Sequence, residues 1–151
     1  MATDLHIAER KITSVNPATG EELRTFLCAK ESEVQTAVLH SKHAQPDWNA
    51  LGIRKRIDIL RNFQRLLHEN KTSVAQAITR EAGKPYIEAL LTEVMVVLDA
   101  ARFLIENSYS LLRDEPVPHG NLAMKTKRGY LVREPYGVVG IISPWNYPFS
   151  I

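Results

Sequence analysis

The apolar positions change period several times along the chain. Ile12-Thr13-Ser14-Val15 and Leu23-Arg24-Thr25-Phe26-Leu27-Cys28 are β-branched and aromatic runs flanking Asn16-Pro17-Ala18-Thr19-Gly20. Turn chemistry between two such runs predicts a hairpin. From Ser32 the period lengthens. Val34, Ala37, Val38 and Ser41 share one helical face, and Ser32 with Gln35 makes a capping box. Pro46 is expected to end this helix, with Trp48 plugging the core beneath it. A second helix is predicted over about 53–69, with Ile53, Ile57, Leu60, Phe63 or Gln64, and Leu67 turned inward. A third covers about 72–82, where Gly83 fits the position after the last turn and Pro85 the stop. A fourth covers about 87–111. It is apolar over most of its surface (Leu90, Leu91, Val94, Met95, Val97, Leu98, Ala101, Phe103, Leu104), the pattern of a helix buried between layers.

Beyond the helices the pattern turns extended. The stretch 113–120 holds two prolines, a glycine and charges, and reads as a linker. Loose alternation over 124–134 (Met124, Thr126, Arg128; Tyr130, Val132), with Gly129 as a bulge or turn, predicts an exposed two-stranded ribbon. Lys125, Lys127 and Arg128 read as protection of its edges. Val138 to Ile142 is apolar apart from Gly140, which predicts a strand covered on both faces of a parallel sheet. Ser143-Pro144 breaks that strand. Open α/β sheets bind ligands at the loop that follows such a strand. A parallel partner needs a crossover of roughly a dozen or more residues, and the chain ends first. The order of elements is therefore that of the beginning of a larger α/β protein. An uncovered β-prone segment at 138–142 should also make the chain self-associate, less so if cut before Gly137.

Composition narrows the classes. A length of 151 residues is one domain's worth, and 44% hydrophobic with 24% charged residues is globular rather than disordered. The net charge of +2, from 19 basic and 17 acidic residues, gives no electrostatic case for nucleic acid or an anionic membrane. Arg54, Lys55, Arg56, Arg61 and Arg65 cluster on the polar side of the second helix and read as a solvated face. One cysteine excludes an internal disulfide framework. No apolar run reaches the ~18 residues of a membrane span, and residues 1–6 do not read as a signal peptide. The expected location is cytoplasmic.

The chemistry concentrates at 134–149. Asn146 carries a side-chain amide that can donate to an oxygen gaining charge when a nucleophile attacks a carbonyl. Its alternative is to bond its own turn backbone. Glu134-Pro135, Gly137-Val138-Val139-Gly140 and Pro144-Trp145-Asn146-Tyr147-Pro148, preceded by Asn16-Pro17-Ala18-Thr19-Gly20-Glu21 and by Glu81-Ala82-Gly83-Lys84-Pro85 with Glu88-Ala89, resemble the NAD(P)-dependent aldehyde dehydrogenase superfamily. Order and spacing fit the amino-terminal part of that family along essentially the whole chain. The resemblance implies an α/β parent fold divided as 1–118, helical part of the cofactor-binding domain; 119–136, oligomerisation ribbon; and 137–151, start of the Rossmann-like sheet. It assigns Asn146 the oxyanion role in thiohemiacetal formation. It places Ile142, Ser143, Pro144 and Trp145 along the NAD or NADP cleft, largely through backbone and apolar contact. It further implies a homo-oligomer joined through the ribbon and aldehyde oxidation to a carboxylate.

Other candidates carry less. Gly137-x-x-Gly140 lacks the third glycine of a dinucleotide fingerprint. Cys28 precedes the Pro-Trp-Asn element, whereas the family's nucleophile follows far after it, so Cys28 reads as a small buried residue. His40 and His43 lie three apart without a third ligand, so no metal is expected. Glu81, Glu88 and Glu93 are not assigned the base, which the family places downstream, and Lys84 reads as part of a solvated face. The cysteine nucleophile, glutamate base and phosphate-binding loop are expected outside this chain, which alone should be inactive. The alternatives are a non-catalytic module that pairs with full-length subunits through the ribbon, and an unrelated helical scaffold.

Overall fold

The computed structural model describes residues 10–118, 120–121, 123 and 126–151. Strands β1 (Lys11–Val15) and β2 (Glu22–Leu27) pair antiparallel, with Thr13 opposite Thr25 and their hydroxyls 2.9 Å apart. Asn16 builds the turn between them. Its side-chain oxygen accepts the Ala18 N–H at 2.9 Å, and its carbonyl accepts the Gly20 N–H at 2.8 Å.

Helix α1 runs over Glu31–Ala50. It starts one residue before the expected Ser32. Glu33 closes the cap in place of Gln35, its carboxylate accepting the Lys30 N–H at 2.7 Å. Gln35 instead donates to Glu31 at 3.1 Å. Pro46 does not end the helix and lies inside it. Proline has no N–H to donate to the Lys42 carbonyl, and Lys42 is exposed. The expected inward face is also exposed, Val34 by 53%, because no described segment lies against it. Trp48 is half exposed rather than a core plug.

Helices α2 (Gly52–Glu69) and α3 (Lys71–Ala82) follow within a residue or two of expectation. On α2, Ile57 and Leu67 are buried. Gln64 rather than Phe63 turns inward, its amide donating to the Leu98 carbonyl at 3.1 Å. Gly83 caps α3 in the left-handed conformation (φ +73°), its N–H bonded to the Thr79 carbonyl.

The long fourth helix is three pieces in one run: α4 (Tyr86–Ala89), a π-helical turn (Leu90–Val94) and α5 (Met95–Leu112). It buries one stripe only. Leu67, Ala75, Ile78, Ala89, Val94 and Leu98 form the core, with Val74, Ala82, Leu90, Val97 and Phe149 packed around it. Leu91, Met95, Val96, Phe103 and Leu104 stay exposed, so the expectation of burial between two layers fails for the described residues. No described helix is long and apolar enough to cross a membrane.

A ribbon does form. Its first strand is β3 (Glu115–Val117), inside the stretch that reads as linker, paired antiparallel with β4 (Gly129–Leu131). Arg133 fastens it, donating to Glu115 at 2.8 Å and to the Arg113 carbonyl at 3.1 Å. His119, Met124 and Lys125 lie outside the described residues.

The expected strand at 138–142 is absent. The segment pairs with no described strand, and Val139, Ile141 and Ile142 are exposed. A strand exists only through its neighbours, and the segment joins neither of the two described ribbons, β1–β2 and β3–β4.

Candidate active site

Two separate stretches, the stop after α3 and the segment Tyr147–Phe149, converge on the π-turn. A π-turn inserts one extra residue into the helix. That insertion allows adjacent residues, Glu93 and Val94, both to face inward, and both are fully buried. A buried carboxylate is costly unless its oxygens are answered. Lys84, from the Gly83-Lys84-Pro85 stop after α3, brings its Nζ to 2.7 Å from Glu93 Oε1, with the lysine side chain only 13% exposed. Glu93 Oε2 accepts the Phe149 backbone N–H at 2.9 Å. The Lys84 ammonium also stands 3.9 Å from the centroid of the Tyr147 ring, a cation–π contact. The hairpin turn completes the junction: a Cβ built on Gly83 would lie 2.7 Å from Pro17 Cγ.

This network holds the segment 145–150 as a series of turns against the helical layer. Phe149 packs its ring on the core. Asn146, three residues before it, is exposed, and its side-chain amide has no hydrogen-bond partner among the described residues. The reading in which Asn146 bonds its own turn is thus not realised here. Ile142 and Trp145 are 97% and 88% exposed, and Ser143 and Pro144 between them are exposed too. The five residues singled out in the sequence therefore lie together on one open edge, with the amide at its end.

Sequence reasoning missed Lys84 and Glu93. Lys84 is not on a solvated face, and Glu93 is not a surface helical carboxylate. The available signal was Glu93 standing as the sole charge between Glu88 and Asp99 in an otherwise uncharged stretch. A carboxylate in such surroundings needs a partner.

The remaining candidates lie elsewhere in the fold. Cys28 is a free thiol, half-buried after β2. His40 and His43 are exposed, and no group of metal-ligating side chains occurs among the described residues. Of the basic cluster, Arg61 pairs with Asp58 and Arg65 with Glu69, as a solvated face should. Arg56 departs from it: its Nε is buried without a hydrogen-bond partner, beside Trp48, Ile57 and Phe63 in a groove against Ser108.

Comparison with known proteins follows the same line. The model of the aldehyde dehydrogenase family matches residues 6–151. The 4,4'-diapolycopene aldehyde oxidase of a Methylomonas species is 32% identical over 140 residues, 93% of this chain and 26% of the relative. A Sinorhizobium meliloti protein assigned as a methylmalonate-semialdehyde dehydrogenase, solved with NAD, is 30% identical with a TM-score of 0.82, covering 94% of this chain and 28% of that one. The NADP-dependent glyceraldehyde-3-phosphate dehydrogenase of Bacillus halodurans, solved with NADP, is 29% identical with a TM-score of 0.81, covering 93% and 30%. The chain thus spans between a quarter and a third of the length of these relatives.

Proposed function

Because the chain belongs to the aldehyde dehydrogenase family, we propose that it is the amino-terminal portion of an enzyme that oxidises an aldehyde to a carboxylate with NAD or NADP. What supports this most directly is the turn at 145–150. It is anchored from below by Glu93 and Lys84, while the Asn146 amide is left exposed and unpaired. An amide fixed in place with no competing partner is what stabilisation of a developing oxyanion requires.

In this reading a cysteine thiolate from outside the chain adds to the aldehyde carbon. The carbonyl π electrons move to oxygen, and Asn146 Nδ2–H donates to that oxygen as its charge grows. Ile142, Ser143, Pro144 and Trp145 form one wall of the cofactor cleft. Their fit is supported by their exposure, with Ile142 and Trp145 offering large apolar side chains. NAD(P), when bound, supplies the hydride acceptor. Cys28 is not the nucleophile, since it stands half-buried beside the hairpin, on a different element from the open edge.

Subunit association through the ribbon belongs to the same proposal. β3 and β4 are each three residues long, and Tyr130, Leu131 and Val132 are about half exposed, a surface that a neighbouring strand or sheet can cover.

The test is kinetic. In the active enzyme that carries this chain, Asn146→Ala should lower kcat by ~10²–10³ with little change in thermal stability, because the side chain is exposed and has no hydrogen-bond partner among the described residues. Undiminished kcat in N146A would overturn the oxyanion role. The 151-residue chain alone should form no reduced cofactor from NAD(P) and a panel of aldehydes, and sustained turnover would overturn its assignment as a portion.

A further inference from the structure

The buried ion pair does more than fill the core. Glu93 is the one charged residue classed with the buried interior among the described residues. Replacing such pairs with apolar side chains is often neutral or stabilising, so stability alone is a poor account of why one is present. Its geometry suggests another account. One carboxylate oxygen takes the ammonium of Lys84 and the other takes the Phe149 N–H. The same ammonium lies over the Tyr147 ring. The segment Tyr147-Pro148-Phe149 is thus gripped at both ends, with a proline of fixed φ between them. Asn146 is the residue immediately before the first grip. Its own amide has no hydrogen-bond partner among the described residues, so the backbone that follows it is what anchors its place in the turn.

We propose that Glu93, acting with Lys84, is a positioning residue for the Asn146 amide: it transmits the geometry of the π-turn to the oxyanion donor through the Phe149 N–H and the Tyr147 ring. This rests on the reading of Asn146 as that donor and adds which residues hold it in register. A misplacement of about 1 Å at a donor can cost on the order of 10²-fold in rate, so an otherwise exposed turn gains function from being held.

The experiment is amide exchange on the ¹⁵N-labelled 151-residue chain, comparing wild type with Glu93→Gln. The glutamine oxygen can answer Lys84 or the Phe149 N–H, not both. Exchange at the Phe149 amide should accelerate about tenfold or more. The Tyr147 ring and Asn146 side-chain amide resonances should shift, while the Ile78 and Leu98 amides keep their rates. An unchanged Phe149 rate would overturn the proposal. So would an equal acceleration at Ile78 and Leu98, which would mark Glu93 as a general stabiliser. If E93Q does not fold, the apolar pair Glu93→Leu with Lys84→Met leaves no unpaired buried charge, removes the acceptor of the Phe149 N–H, and is read in the same way. Failure of the Asn146 role would appear separately, as undiminished kcat in N146A, and would leave the exchange result untouched.

Discussion

Gly83 shows how much a single position can carry. Its φ of +73° lies where side chains with a Cβ are strained, and the space a Cβ would need is already taken by Pro17. Gly83→Ala should therefore destabilise the chain by at least the ~1–2 kcal/mol of left-handed strain, with the Pro17 contact added, measurable as a lower denaturation midpoint. Asn146 is the opposite case. It is exposed and without a hydrogen-bond partner among the described residues, so its substitution should be silent in stability and visible only in catalysis. Gly83 was legible in the sequence, from the glycine and proline that follow a helical period, whereas the role proposed for Asn146 rests on the resemblance of the motif around it. The pairing of Gly83 with Pro17 was not legible, because it joins segments far apart in the chain and follows no local period.

At the scale of elements, the local rules succeeded where the element is decided locally. The hairpin follows from Asn16 and Gly20, and α2 and α3 follow from stripes and caps. They failed where solvent or tertiary contacts decide. Pro46 stays inside α1, on an exposed stretch of the helix, and the first strand of the ribbon hid in a proline-bearing linker. The π-turn has no period of its own, so the Lys84–Glu93 pair it creates could not be read from spacing. This pair makes a stability prediction distinct from its positioning role. Lys84→Met leaves the Glu93 carboxylate buried and unpaired, which should cost ~3–5 kcal/mol. Adding Glu93→Gln should recover much of that loss, since the pair rather than either partner is what the core tolerates. Denaturant titration of the two variants compares them directly, and a double variant no more stable than K84M would count against this account of the pair.

Across the whole molecule, the surface is the open question that the family assignment addresses. One face of α5, the inner face expected of α1, and the segment 138–142 with Trp145 all leave large apolar side chains in water. Contiguous apolar surface of this kind marks an interaction site or an aggregation liability. The account predicts self-association of the isolated chain, measurable by light scattering. Ile141→Lys, a charge placed in an exposed β-prone segment, should reduce it without loss of helical content. The same surfaces suit a chain that spans under a third of its relatives' length. The most direct measurement is the sequence of the source DNA immediately after the codon for Ile151. The account predicts an open frame that reaches a cysteine nucleophile and a glutamate base, completing the site proposed around Asn146. A stop codon at that point would contradict it and leave a family member without catalysis of its own.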